Sequence, residues 1–267
     1  MTGVLLGLLD LRPDAVPDAW IGPGNGPAGK RAFGGQFIAA ALTAACRTVP
    51  EGVMPTSLHV QFLRGGDAAE PVTYQVERVL DRRSAMSRRV VGRQRGSLVV
   101  TATAGFATPA AGPEHGRRRS PPGDPTQLAR TGPAGPAPAM PLDEIDIRIS
   151  DHGAGEGFLR RFWWRTTVPL PDDPLVHACV ASFVTDVYMM DPALRVHGHS
   201  MSDRSHRTWT TDASTWFHRR IRADHWNLLE STSPAAAQGR GVVTGSLVDA
   251  EGAVAATLVH EGLVAAR

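Results

Sequence analysis

FIAAALTAAC, residues 37–46, directly follows the small, tight sequence GGQ at residues 34–36 and has no polar face beyond Thr43. A helix that is apolar on every side must be surrounded by other structure. Its many alanines allow neighbouring backbone to approach closely, and Pro50 follows its end. This stretch therefore predicts a central helix that the rest of its folding unit encloses.

The residues after this helix have the pattern of an antiparallel sheet. They form short segments rich in Val, Thr and aromatic residues, which is typical of β-strands: Ser57–Leu63, Val72–Leu80, Ser87–Gly92 and Leu98–Phe106. The sequence QRGS at residues 94–97 separates two of them and predicts a hairpin turn. Such short connections require antiparallel pairing.

The second half of the chain repeats this order. Asp172 or Asp173 can cap a helix, Pro174 suits its first position, and an apolar run continues to about Met190. Strand-like segments surround it: Ile145–Ile149, Arg160–Val168, Thr208–Arg222, Asn227–Ser233, Gly241–Val248 and Val254–Val264. The predicted fold class is therefore α+β, with two tandem units, each a central helix wrapped by an antiparallel β-sheet.

A segment rich in proline and glycine divides the two halves. Residues 109–142 contain nine of the chain's prolines together with many Gly and Ala residues, a composition typical of a linker. We expect an N-terminal unit at residues 1–108, the linker at 109–142, and a C-terminal unit at 143–267.

The overall composition excludes several classes of protein. The formal net charge is only +2, and no basic tract interleaved with aromatic residues indicates nucleic-acid binding. No apolar stretch approaches the ~20 residues of a membrane span, and the N-terminus lacks the pattern of a signal peptide. Cys46 and Cys179 are too few to form a disulfide framework. These features predict a cytoplasmic protein without a membrane span.

The two apolar helical runs differ in one residue that could perform chemistry. Asp186 lies in the second run, and the first run contains no carboxylate. A carboxylate in apolar surroundings is costly unless it is paired or hydrogen-bonded. Asp186 either faces solvent near the helix end or faces a cleft as a general base.

Two other groups of residues resemble reactive sites. The sequence GHSMS around Ser200 nearly matches a nucleophile elbow, and Asp249 and His260 follow in the order found in α/β-hydrolases. That elbow requires a parallel sheet, whereas the pattern here is antiparallel. A second group, formed by His197, His199, Asp203 and His206, has no spacing that fits a compact metal site. We therefore predict no metal.

Several segments together resemble the acyl-CoA thioesterase II (TesB-like) family. In chain order they are Leu5–Leu11, Phe33–Gln36, Ser57–His59, Phe62–Asp67, Val76–Arg78, Asp172–Pro174, His177–Cys179, the Asp186 segment, Trp216–Arg219 and Glu261-Gly262. The resemblance covers nearly the whole chain outside the linker. It implies a double hotdog fold, no cofactor, and hydrolysis of acyl-CoA thioesters in fatty-acid and lipid metabolism. It also implies self-association as a dimer or larger homo-oligomer.

The resemblance further implies three catalytic residues that hold the attacking water. These residues are an Asp, a Thr and a Gln, and the matching positions are Asp186, Thr210 and His260. His260 departs from the family pattern. Since an ordinary histidine titrates near ~6.5, we expect activity that depends on pH through His260. An acyl-thioester-binding protein with little turnover and a serine hydrolase that uses Ser200 are the alternative functions.

Overall fold

The computed structural model describes residues 3–116, 118–131, 141 and 143–267. Its first half contains, in order, α1 (Val4–Leu9), β1 (Arg12–Pro13), β2 (Ala19–Gly22), α2 (Gly34–Cys46), β3 (Met54–Phe62), β4 (Val72–Asp81), β5 (Ala85–Gln94) and β6 (Ser97–Ala107). Its second half contains β7 (Ile145–Ile149), β8 (Arg160–Thr166), α3 (Pro174–Val184), α4 (Asp191–Arg195), β9 (His206–Phe217), β10 (Asn227–Ala237), β11 (Arg240–Asp249) and β12 (Val254–Ala266). None of the helices among these residues combines the length and the apolar composition that a membrane span requires.

The strands of the two halves pair in the same order. In the first half the order is β1-β2-β4-β5-β6-β3, and in the second it is β7-β8-β10-β11-β12-β9. Every one of these pairs is antiparallel. In each half the longest helix, α2 or α3, comes before the strand at the end of that order, β3 or β9. The predicted duplication and the α+β fold class are therefore confirmed, although β1, β2, α1 and α4 were not predicted.

The described residues form two compact units whose division differs from the predicted domains in one helix. One unit contains the described residues up to Glu114 together with Leu170–Val184, so α3 belongs to it, and the other contains most of the remainder. A Cβ atom on Gly35 of α2 would lie 2.2 Å from the carbonyl oxygen of Phe183 in α3. Only glycine permits that approach. The boundaries 1–108, 109–142 and 143–267 stay a prediction.

Helix α2 is the centre of the first unit. Ten of its residues are buried, including Ile38 and Leu42, and it contacts β2 through β6 as well as α1. The Phe33 ring, just before α2, meets Phe183 edge-on at a centroid distance of 5.0 Å. The expectation that this apolar helix is enclosed is therefore confirmed.

The sheet of the second unit is covered on part of its outer face by the predicted linker. Leu128 packs against a cluster formed by Trp163, Leu228 and Val248. The guanidinium of Arg148 donates hydrogen bonds to the carbonyl oxygens of Pro125, Thr126 and Leu128. Residues 118–131 are thus anchored rather than loose, and residues 117, 132–140 and 142 of the linker lie outside the described residues.

Candidate active site

Asp186 lies in a turn after a helix, and not inside one. Helix α3 ends at Val184, so the prediction of a helix to Met190 was wrong. Tyr188 adopts a left-handed backbone conformation with φ of 55°, which redirects the chain before α4 begins. The Tyr188 ring meets Phe162 edge-on at 6.0 Å, which holds this unfavourable conformation in place.

The far end of this turn is anchored by a buried ion pair. Asp191, the first residue of α4, pairs with the guanidinium of Arg160, and both side chains are almost fully buried. The other oxygen of Asp191 accepts a hydrogen bond of 2.7 Å from the backbone N–H of Met201. Because a buried charge that loses its partner is strongly destabilising, this pair constrains the start of α4 and the turn before it.

Gly262 permits close packing of β12 against β9 and Met190. On Gly262 a Cβ atom would lie 2.9 Å from the sulfur of Met190 and 2.5 Å from the carbonyl oxygen of Trp209. Neither distance is possible for real atoms, and the second neighbour is backbone that cannot rotate away. A side chain at position 262 would therefore overlap the backbone of β9 and displace the end of the Met190 side chain.

Asp186 and Thr210 are in direct contact. The Thr210 hydroxyl of β9 donates a hydrogen bond of 2.9 Å to Oδ1 of Asp186. The Asp186 side chain is only 8% exposed, so the alternative in which it faces solvent does not hold. Such a buried carboxylate requires polar partners, and Thr210 is one of them.

His260 completes the group from β12. Its Nδ1 lies 3.7 Å from Oδ1 of Asp186, and its side chain is fully buried. That distance would make an ion pair if the imidazole were charged, but burial lowers the pKa of His260 to about 3 and keeps it neutral. The expectation that His260 titrates near its ordinary pKa was therefore wrong. Neither ring nitrogen has a hydrogen-bond partner among the described residues.

A β-bulge sets the direction of Thr210. Asp212 of β9 is opposite Glu261, but Gly262 is opposite Thr210, so Thr211 is an extra residue in the ladder. A bulge of this kind changes which side chains face inward. Thr210 and the buried Ala213 consequently share the inner face, although their spacing of three residues would oppose them in a regular strand.

The three residues predicted from the resemblance are thus brought together. Asp186 comes from the turn, Thr210 from the strand beside β12, and His260 from β12 itself. The sequence did not predict the bulge at Thr211 or the close packing at Gly262. Thr210 and Thr211 are the same residue type. The sequence of β9 and β12 therefore does not indicate which of them faces inward.

The serine considered as an alternative nucleophile has other partners. The Ser200 hydroxyl hydrogen-bonds with that of Ser202 at 2.7 Å and accepts from the backbone N–H of Asp203 at 3.3 Å. Asp249 caps a hairpin turn by accepting from the backbone N–H groups of Glu251 and Ala253. Within the described part of the chain, no hydrogen bond connects Ser200 with Asp249 or His260.

The histidine-rich loop does not form a metal site. The rings of His199 and His206 lie 4.7 Å apart, and the Ser205 hydroxyl is within hydrogen-bonding distance of both. Asp203 instead accepts hydrogen bonds from Ser205 and Ser200, which hold the pKa of its carboxyl down at about 2. Across the residues that the structure describes, no group of His, Cys, Asp and Glu side chains is arranged to hold a metal ion.

Comparisons with known proteins agree on one family. Residues 22–107 match the model of the acyl-CoA thioesterase N-terminal domain, and residues 109–264 match that of the acyl-CoA thioesterase C-terminal domain. Acyl-coenzyme A thioesterase 8 of Homo sapiens is 30% identical over 270 residues, which cover 88% of this chain and 81% of that protein.

Solved structures show the same fold. The acyl-CoA thioesterase II TesB2 from Mycobacterium marinum superimposes with a TM-score of 0.85 at 30% identity, covering 99% of both chains. A protein with a hot dog fold from Alicyclobacillus acidocaldarius superimposes with a TM-score of 0.82 at 21% identity, covering 100% of both chains. The predicted double hotdog fold is therefore confirmed.

Proposed function

The chain belongs to the acyl-CoA thioesterase II (TesB-like) family and is a thioester hydrolase, and from that premise we propose that it hydrolyses acyl-CoA by a water held among Asp186, Thr210 and His260. The products are a free acid and CoA. The observation that carries the proposal is the hydrogen bond of 2.9 Å from Thr210 to Asp186, with His260 Nδ1 at 3.7 Å from the same carboxylate oxygen.

The reaction needs a base more than it needs an acid. Water attacks the carbonyl carbon of the thioester while Asp186 accepts one of its protons. The tetrahedral intermediate then collapses, the C–S bond breaks, and the sulfur leaves as a thiolate. A thiol pKa near ~8.5 makes this a good leaving group without strong acid assistance. The proton on Asp186 then passes to the thiolate or to solvent, which restores the carboxylate.

Thr210 orients the base in this scheme. Its hydroxyl proton is used in the bond to Asp186, so its oxygen lone pairs can accept a hydrogen bond from the attacking water. A carboxylate has about four acceptor sites, so accepting from Thr210 is compatible with accepting the water proton as well. The water then lies between two oxygens that are themselves hydrogen-bonded to each other.

His260 serves as a neutral hydrogen-bonding group. A neutral imidazole offers one N–H donor and one acceptor, whereas the glutamine of the family pattern offers two donors and one acceptor group. With its pKa lowered to about 3, His260 holds this neutral form throughout the ordinary pH range. It therefore replaces the orienting function of glutamine without adding a charge beside Asp186.

A direct test is the release of thiol from acyl-CoA substrates. We expect Asp186→Asn to lower kcat by about 10²- to 10⁴-fold, the usual contribution of a general base, and Asp186→Ala to do the same. Glu251→Gln is the matched control, because it also removes a carboxylate from the second half of the chain but at an exposed hairpin. Thiol release that does not depend on Asp186 would overturn the proposed site.

Two rival functions are separated by the same assay and one further measurement. An acyl-thioester-binding protein would bind acyl-CoA without Asp186-dependent turnover. A serine hydrolase would be labelled at Ser200 by a fluorophosphonate and inactivated by Ser200→Ala, and we expect neither result. A panel of acyl-CoA chain lengths then identifies the preferred acid. Self-association and a cytoplasmic location stay predictions from the sequence.

A further inference from the structure

We propose that Thr211, Glu261 and Arg240 are positioning residues, which act from the outer face of the sheet to hold the β-bulge that turns Thr210 toward Asp186. This inference rests on the proposed function of Thr210. None of the three residues belongs to the group that would hold the water. Their contribution would come through the backbone of β9.

These three side chains contact one another on the face opposite the proposed site, and Asp212 also interacts with Glu261 there. Arg240 of β11 donates two parallel hydrogen bonds to Glu261, from Nε to Oε1 and from Nη2 to Oε2, each 2.8 Å long. Nη2 also donates to the Thr211 hydroxyl at 2.9 Å. That hydroxyl lies 2.9 Å from Oε2 and 3.1 Å from the backbone oxygen of Glu261, and it can donate to either.

The cluster lies at the bulge itself. Thr211 is the extra residue in the β9–β12 ladder, and Glu261 is the last residue of β12 before the register shifts. The Thr211 hydroxyl therefore links the extra residue of β9 by hydrogen bonds to Glu261, the residue of β12 at which the register shifts. Arg240 links the pair to the next strand, so that three strands are joined at this point.

The alternative that this cluster opposes is a simple slip in register. If the ladder continued without a bulge, Thr211 would be opposite Gly262 and would face inward, and Thr210 would face outward. Both residues are threonines, so their own side chains discriminate weakly between the two arrangements. The contacts of the Thr211 hydroxyl with Glu261 and Arg240 exist only in the bulged register. They would therefore favour the bulged register over the slipped one.

The charges in the cluster favour the same arrangement. The hydrogen bonds from Arg240 hold the pKa of Glu261 below its ordinary value, so Glu261 stays ionised as an acceptor for Thr211. Arg240 meets this carboxylate with the planar, two-pronged geometry that makes such pairs directional. Directional hydrogen bonds fix the position of the groups that they join. This matters here because a small misplacement of a catalytic group lowers the rate considerably.

The test is a double-mutant cycle in the full-length protein. Thr211→Val removes the hydroxyl with little change in shape, Thr211→Ser retains it, and each is made in the parent and in the Thr210→Val variant. We expect Thr211→Val to lower kcat about fivefold to tenfold in the parent with KM changed less than about twofold. We expect Thr211→Ser to restore most of kcat.

The decisive result comes from the Thr210→Val background. There we expect Thr211→Val to have no further effect on kcat, because the side chain that it positions is gone. If Thr211→Val lowered kcat equally in the parent and in the Thr210→Val variant, or did not lower it in the parent, the inference would be overturned. The proposed function would remain intact. If Thr210→Val itself leaves kcat unchanged, the proposed role of Thr210 and this inference both fail.

An ion pair elsewhere in the second half of the chain provides the matched control. Arg222 pairs with Asp224 at 2.7 Å, with side-chain exposures of 40% and 25%, against 43% and 30% for Arg240 and Glu261. We expect Arg240→Gln to lower kcat as Thr211→Val does, and Arg222→Gln to leave it unchanged. Equal losses of kcat in both variants would contradict the inference, since any surface ion pair would then have the same effect.

Discussion

Thr210 and Asp186 are separated by 24 residues of chain, yet the hydroxyl of the first donates a 2.9 Å hydrogen bond to the carboxylate of the second. Three backbone features surround this contact: the left-handed conformation of Tyr188, the absence of a side chain at Gly262, and the bulge at Thr211. The last two features can each be tested by a substitution, at Gly262 and at Thr211.

Removing the Thr210 hydroxyl should lower the rate without preventing folding. A hydrogen bond to a charged group contributes about 1.5–3 kcal/mol. If that contribution is lost in the transition state, Thr210→Val lowers kcat about tenfold to a hundredfold. Thr210→Ser keeps the hydroxyl and should keep most of the activity. Steady-state hydrolysis of an acyl-CoA measures both variants.

An exposed threonine serves as the control for this experiment. Thr244 lies on the outer face of β11, and Thr244→Val makes the same chemical change away from Asp186. Its kcat should match that of the parent. If Thr210→Val and Thr244→Val have the same kcat, the Thr210 hydroxyl has no part in the reaction.

The pH dependence of the rate should not come from His260. Because burial lowers the pKa of this residue to about 3, it stays neutral between about pH 5 and 8, where an ordinary histidine titrates. The curves of kcat against pH for the parent and for His260→Gln should therefore differ by a constant factor. An inflection near ~6.5 that only the parent shows would mean that His260 is protonated in the folded protein.

The same residue should make the folded state sensitive to acid. In the unfolded chain His260 has its ordinary pKa of 6.5, so between about pH 3 and 6.5 the unfolded state binds a proton that the folded state does not. Stability therefore falls as the pH drops through this window, by up to about 1.4 kcal/mol per pH unit for this one group. The free energy of unfolding, measured by urea unfolding at several pH values, should depend less steeply on pH in His260→Gln than in the parent.

The features that the sequence predicted are those that depend on local pattern. The alternation of apolar residues in the strands, the apolar helix of residues 37–46 and the hairpin turns all follow from side-chain periodicity and turn chemistry. Arg95 and Gly96 illustrate this: both adopt positive φ in the predicted turn between β5 and β6. The resemblance to a family then identified Asp186, Thr210 and His260 as a group.

The features that the sequence did not predict depend on contacts between distant segments. The apolar run to Met190 has the pattern of one helix, but α3 ends at Val184 and the left-handed Tyr188, whose ring packs on Phe162, redirects the chain before α4. The titration of His260 was mispredicted because the residue type gives an ordinary pKa, whereas its complete burial is a property of the folded sheet. Burial of this kind cannot be derived from a single strand.

Substituting Gly262 should damage the proposed site and the fold together. In Gly262→Ala the new methyl group would meet the backbone oxygen of Trp209 and the end of the Met190 side chain, so β12 must move away from β9 at the position opposite Thr210. Overpacking of this kind costs about 1–3 kcal/mol. Gly157→Ala is the control, because a Cβ there has no neighbour within 4 Å. We expect Gly262→Ala alone to lower both the melting temperature and kcat, as measured by thermal unfolding and thiol release. If Gly262→Ala kept the kcat of the parent, the close approach of β12 to β9 opposite Thr210 would not be needed to assemble Asp186 with Thr210.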